Sequence, residues 1–134
     1  MSYRLLIVDD NRGCSDLYKL RFTGAGWDVN IAYSAEAAIQ MITKTDYLPD
    51  AILLDLMLPK MQGDELLRII RKDPRVQDVV VVVLTALNLN PVDQEKISGD
   101  ADDYILKLDI MPKELVERVT ELVEKKSKPV GKIS

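Results

Sequence analysis

Histidine is absent from the 134 residues of this sequence. That absence excludes Ser-His-Asp and Cys-His catalysis, histidine-ligated zinc, and any phosphohistidine carried by the chain itself. The single cysteine, Cys14, has no partner for an internal disulfide. Long apolar runs are missing too: the longest, Val79 to Leu84, falls far short of the ~20 residues a membrane helix needs. Residues Met1 to Arg4 lack the apolar stretch of a secretory signal, so a cytoplasmic protein with no membrane partner is expected. Excess positive charge is also lacking. With 18 Lys and Arg against 22 Asp and Glu, the net charge of −4 leaves no electrostatic footprint for wrapping nucleic acid, and no direct nucleic-acid contact is expected. Chemistry must come from carboxylates, lysine or hydroxyls.

The chain is 47% hydrophobic and 30% charged, enough apolar matter for one self-sufficient core. Short apolar runs alternate with longer segments of helical period, the pattern of a parallel sheet covered by helices. The runs are Arg4–Val8, Trp27–Ala32, Ala51–Leu54, Val79–Leu84 and Asp103–Leu106. The fourth is apolar on both faces, as a central parallel strand must be, whereas the half-polar alternation of the second suits an edge. Helices are predicted over Ser15–Ala25, Ser34–Thr43, Gly63–Lys72, Pro91–Ser98 and Pro112–Lys126. In the last, Leu115, Val116, Val119, Leu122 and Val123 form one stripe behind a proline suited to a first turn. The fourth has a polar interior and is expected to be short and mobile. One domain over 1–126 is expected, with 127–134, rich in lysine and breakers, as a flexible tail or the start of a linker.

Asp9 and Asp10 follow the first run, Asp55 the third, Thr85 the fourth and Lys107 the fifth. In a parallel sheet these groups emerge at the carboxyl ends of the strands, where open α/β sheets bind ligands. Three close carboxylates repel one another unless a hard divalent cation sits among them, and magnesium suits oxygen ligands. An aspartate is also a competent nucleophile toward phosphorus when a metal and a lysine neutralise the transferred oxygens. Each residue also has a plain structural reading. Asp9 and Asp10 could cap the first helix, Thr85 could be an ordinary strand residue, Lys107 a solvated lysine, Asp55 a loop carboxylate and Tyr104 a packed aromatic. What favours chemistry is that four strands each end in the required group.

The segments Leu5–Asp10, Ile52–Gly63, Val83–Ala86 and Ala101–Lys107 make the chain, from about Arg4 to Lys125, resemble a response-regulator receiver domain of two-component signalling, of the chemotaxis-regulator-like kind. The resemblance implies a doubly wound, flavodoxin-like five-stranded parallel sheet of order 2-1-3-4-5. It implies a phosphorylation-dependent signalling switch, a phosphoacceptor that assists its own phosphorylation and dephosphorylation rather than an enzyme acting on other substrates. Asp55 would be the phosphoacceptor. Asp10 and Asp55 would ligate Mg2+ directly, Asp9 mainly through water, and Met57 through its backbone carbonyl. Thr85, Ala86, Lys107 and Tyr104 would bind the phosphoryl group or respond to it, Thr85 by moving toward it and Tyr104 by swinging inward behind it. Pro59 and Gly63 would shape the loop after Asp55. The implied partners are a sensor histidine kinase or histidine phosphotransfer protein and an unknown downstream effector at the face of helix 4, strand 5 and helix 5.

The chain departs from the family pattern in three places. Leu108 stands where proline is usual, so the usual cis peptide is expected to be absent or strained. Asp100 replaces the customary glycine, with Gly99 one position early, so a different turn into strand five is expected. Asn88, Asn90 and Pro91 make the start of helix four atypical. Two rival readings fit less well. A haloacid-dehalogenase-type phosphatase wants a second aspartate where Met57 stands, and a flavin or nucleotide binder wants a glycine-rich loop where Asp9, Asp10 and Asn11 stand.

Overall fold

The computed structural model describes residues 3–44, 47–86 and 89–127; of the expected tail 127–134 only Ser127 is described, as the last residue of the final helix, and Leu87 and Asn88 also lie outside the described residues. Five strands alternate with five helices: β1 Arg4–Val8, α1 Arg12–Gly24, β2 Asp28–Ala32, α2 Ala35–Lys44, β3 Ala51–Leu54, α3 Gly63–Lys72, β4 Val80–Thr85, α4 Pro91–Ser98, β5 Asp103–Leu106 and α5 Pro112–Ser127. The strands form one parallel sheet of order β2-β1-β3-β4-β5, as expected. β2 is an edge, and its mixture of exposed, half-buried and buried residues contrasts with β4, where every residue is buried.

Strand alternation divides the core in two. Leu6, Val8, Ile52, Leu54, Val81 and Val83 face α2 and α3, while Leu5, Ile7, Leu53, Val82 and Leu84 face α1 and α5. The predicted α5 stripe meets this second core through Leu115, Val119 and Val123, with Val116 and Leu122 packed at its margin. α4 has no buried residue; Asn90 caps it by accepting from the Asp93 amide at 2.9 Å, and Pro91 occupies its first turn.

The boundaries differ from expectation where local hydrogen bonds decide them. α1 begins at Arg12, three residues earlier than Ser15, because the Asn11 side chain caps it by accepting from the Cys14 amide at 3.0 Å. Trp27 is not part of β2. Gly26 turns the chain at φ 96°, and the Trp27 amide donates to the Phe22 carbonyl instead of a strand. Val79 likewise closes a turn on Val76, so β4 runs from Val80 to Thr85. Asp100 does not enter left-handed space; among the described non-glycine residues only Lys60 does, at φ 65°. The α4 end instead donates the Asp100 and Ala101 amides to the Ile97 carbonyl.

At the amino ends of the strands, one side chain ties several elements together. The Arg71 guanidinium donates to the carbonyls of Asp100, Gln77 and Val79 and to the Asp102 carboxylate, at 2.6 to 2.9 Å. Asp102 in turn accepts from the Val81 amide at 2.8 Å and pairs with Lys126 at 3.2 Å. This clamp fixes the start of β4 and β5, and so the register that carries Thr85 and Lys107 to the opposite edge.

Candidate functional site

The parallel register sets the site. Val8 lies beside Leu54 and Leu54 beside Val83, so Asp9 and Asp55 leave adjacent strands at the same level. Thr85 pairs with Leu106, which brings Lys107 to the same edge one residue later. Side chains far apart in sequence therefore meet. Lys107 Nζ donates to Asp9 Oδ2 at 2.8 Å and to Asp55 Oδ2 at 3.0 Å, and the Thr85 hydroxyl donates to Asp55 Oδ1 at 2.9 Å. The Met57 amide also donates to Asp55 Oδ1, and the Asn11 amide to Asp9 Oδ1.

Asp9 and Asp55 are buried, at 3% and 6% exposure, and Thr85 is wholly inside. Two buried carboxylates this close need a positive charge, and the Lys107 ammonium supplies it. Burial pushes the Asp9 carboxyl above its usual range, outweighing the opposing hydrogen bonds from Lys107 and the Asn11 amide. Burial alone would lower the Lys107 ammonium, but its hydrogen bonds to Asp9 and Asp55 and their charges carry it above the ordinary lysine range.

Asp9 and Asp10, read in the sequence as one pair, part company. Asp10 is exposed, and neither aspartate caps α1, because Asn11 does. The sequence expectation put the cap on Asp9 and Asp10 rather than Asn11, although an asparagine directly before a helical segment is a cap signal. Thr85 is already within hydrogen-bonding distance of Asp55. Ala86 is exposed beside it. Tyr104 is half-buried against the α2–α3 core, where burial raises its phenol and a hydrogen bond to the Leu89 backbone opposes the rise.

The loop after Asp55 is tight. Met57 is half-exposed, Pro59 is exposed, and Lys60 adopts the left-handed conformation. Gly63 donates its amide to the Leu56 carbonyl at 3.1 Å. A Cβ at 63 would run into the Asp55 carbonyl and stand 2.7 Å from the Leu56 Cα, so only glycine lets α3 start here. Leu108, in the short turn Lys107–Asp109 after β5, is 95% exposed, and no peptide bond among the described residues is cis.

For a cation, the donor set is of the right chemistry. Asp9, Asp10, Asp55 and the Met57 carbonyl offer oxygen alone, which suits a hard divalent ion such as Mg2+. Among the described residues no three acidic or thiol side chains stand together as a ready metal cluster; Asp10 is exposed, and Lys107 bridges Asp9 and Asp55. The fit is one of ligand type and position.

Comparison with known proteins agrees with the fold. A model of the response regulator receiver domain family matches residues 5–120. Among similar proteins, the DNA-binding dual master transcriptional regulator RpaA of Synechocystis is 37% identical over 126 residues, covering 91% of this chain and 49% of that protein. The DNA-binding response regulator MtrA of Mycobacterium tuberculosis is also 37% identical, over 120 residues, covering 89% and 50%. The CheY-like response regulator receiver domain protein from Methanospirillum hungatei superposes with a TM-score of 0.83 at 27% identity, covering 94% of this chain and 97% of that one. The receiver domain of the Francisella response regulator 1452 superposes at 0.80 and 28% identity, covering 94% and 100%.

The chain spans about half the length of the curated relatives it matches. Those relatives correct one expectation. Their names give them DNA binding, so the exclusion of nucleic acid from the partners, argued from a net charge of −4, does not stand. Net charge over one segment describes that segment's own surface and says nothing of the rest of a regulator. None of the described helices is long and apolar enough to cross a membrane. Fold, strand-edge site and the match over residues 5–120 converge: this chain belongs to the response regulator receiver domain family of two-component signalling, whose general function is to accept a phosphoryl group.

Proposed function

We propose that Asp55 is the phosphoacceptor of a signalling switch, and that its donor is the phosphohistidine of a cytoplasmic sensor kinase or phosphotransfer protein. One observation carries the reading: a single ammonium, Lys107 Nζ, joins Asp9 and Asp55, while Thr85 donates to the other oxygen of Asp55. A buried nucleophile, a cation and a hydroxyl thus share one strand edge.

In the transfer, a lone pair of an Asp55 carboxylate oxygen attacks phosphorus. The P–N bond to the donor imidazole breaks, and its electron pair stays on the imidazole nitrogen. Lys107, Thr85 and the Ala86 backbone then hold the phosphoryl oxygens, and Tyr104 responds behind Thr85. Asp9, Asp10, Asp55 and the Met57 carbonyl would hold Mg2+, which when bound supplies positive charge to the transferred oxygens. The same groups assist later hydrolysis of the acyl phosphate. Residues 1–126 serve as the receiver in this reading. By likeness to RpaA and MtrA, its phosphorylation controls a DNA-binding activity.

Incubation with acetyl phosphate and Mg2+ tests the acceptor assignment. Intact mass should rise by one phosphoryl group in the wild type and stay unchanged in Asp55→Asn. A phosphoryl adduct of equal yield in Asp55→Asn contradicts it, and turnover of phosphomonoesters favours a phosphatase instead.

A further inference from the structure

The carboxyl edge of the sheet is short of positive charge. Asp9, Asp10 and Asp55 all leave the strands there, and among the described residues the only cation paired with any of them is Lys107. A phosphoryl donor is itself an anion, so this edge repels it. Two further cations border the edge, and each is held against a preference of its own backbone. Lys60 lies in the loop that leaves Asp55 and closes where the Gly63 amide donates to the Leu56 carbonyl. Its φ of 65° is one that glycine adopts freely and lysine does not. The Lys60 side chain is exposed and makes no ion pair among the described residues, so no contact of its own explains the strain. Arg12 opens α1 directly after the Asn11 cap, where the helix dipole disfavours a cation, and no acidic residue shares that first turn. Its guanidinium lies instead 4.0 Å from the centre of the Tyr33 ring. Tyr33 follows Ala32, whose carbonyl accepts from the Asp9 amide at 3.1 Å, which tethers this cation beside the Asp9 loop.

We infer that Lys60 and Arg12 steer the anionic phosphoryl donor to Asp55, offsetting the repulsion of the acidic edge. Backbone strain without a packing reason marks a side chain in use. Exposed charges reach across about one Debye length, roughly 8 Å at physiological ionic strength. They therefore raise the rate of encounter with an anion and leave the chemistry of the adduct unchanged once it has formed. Lys60 and Arg12 stand on different loops, one after β3 and one after β1, so their fields add at the edge between them. The inference rests on reading Asp55 as the phosphoacceptor.

Initial rates of adduct formation on the full chain test it, with acetyl phosphate as donor, Mg2+ at saturation and intact mass as the readout. At low ionic strength Lys60→Gln and Arg12→Gln should each take up the phosphoryl group about threefold more slowly than the wild type, and the double variant about tenfold, at the lower end of electrostatic steering. Salt at about 0.3 M should shrink every difference to less than about twofold, because screening removes what the charges supply. Decay of the adduct, in which neutral water is the attacking species, should stay within about twofold of the wild type in each variant. Two controls separate charge from structure. Lys72→Gln removes the same charge from the exposed last turn of α3, at the other edge of the sheet, and should leave uptake within about 1.5-fold. Lys60→Gly removes the ammonium and the left-handed strain together, so it should slow uptake as much as Lys60→Gln while its urea midpoint falls no lower than the wild type's. Wild-type uptake in Lys60→Gln and Arg12→Gln, or a slowing that persists at high salt, overturns the inference and leaves the acceptor assignment standing. Slow uptake accompanied by a lowered midpoint and faster decay assigns the two residues to the fold and also overturns it. Absence of any adduct in the wild type overturns the acceptor assignment and the inference together.

Discussion

Gly63 lies so close to Asp55 that a side chain of any size at 63 would strike the Asp55 carbonyl. The first residue of α3 therefore sets the position of the carboxylate at the end of β3. Gly63→Ala should cost about 1–3 kcal/mol in stability, the range for overpacking a filled site. It should also slow phosphoryl uptake from acetyl phosphate, because relief of the clash moves the backbone of Asp55 itself. Urea unfolding and the initial rate of adduct formation check both. Unchanged stability would show that the loop yields without cost.

The Arg71 clamp acts at the far end of the strands. Arg71→Ala removes one guanidinium but leaves the carbonyls of Gln77, Val79 and Asp100 and the Asp102 carboxylate short of a donor. The residues are partly exposed, at 19% and 23%, so a loss of about 2–3 kcal/mol is expected rather than the full cost of a buried pair. Arg71→Lys should recover less than half of it, since an ammonium cannot reproduce the planar fork. Denaturant midpoints measure the series, and a full rescue by lysine would contradict the geometric account.

Met57 predicts a long-lived phosphoryl group. Its half-exposed side chain stands two residues from Asp55 and has no group able to orient an attacking water. Met57→Asn should shorten the lifetime of the acyl phosphate by about tenfold, a modest share of what a positioned polar group contributes in general acid-base chemistry. Decay of radiolabel on wild type and variant decides it, and equal rates would contradict the prediction.

Alkaline pH should expose the buried phenols. Burial raises Tyr18, Tyr47 and Tyr104 above the ordinary value of 10.0, and Lys107 also lies above its ordinary 10.5. Groups whose folded values are raised bind their protons more tightly in the fold. Their contribution is complete below the unfolded values and is lost as pH climbs through the folded ones. Stability should thus fall once pH passes about 10, with phenolate absorbance of these tyrosines lagging until unfolding releases them. Early, reversible ionisation of Tyr18, Tyr47 and Tyr104 below that point would contradict their burial.

Much of this architecture was legible because apolar pattern and strand burial are the same fact seen twice. The apolar run Val79 to Leu84 had to be central and the half-polar run Trp27 to Ala32 peripheral, while the full order 2-1-3-4-5 was implied by the family resemblance and not by the pattern. The α5 stripe was legible for the same reason. The division between Asp9 and Asp10 was not, because it depends on where β1 stops and the chain turns toward Asn11. The Arg71 clamp was invisible as well: its carboxylate partner lies 31 positions away, and nothing local in either segment signals the meeting. Trp27 misled through its β propensity, which the hydrogen bond to Phe22 overrides.

The chemical identity of the phosphorylated residue is the most direct test of the whole account. Borohydride reduction of the acetyl phosphate-treated protein converts an aspartyl phosphate to homoserine, and peptide sequencing by mass spectrometry locates it. Homoserine at position 55, and nowhere else, is the predicted result. Homoserine at Asp9 or Asp10, or a phosphoryl group that resists reduction on a serine or threonine, would contradict it.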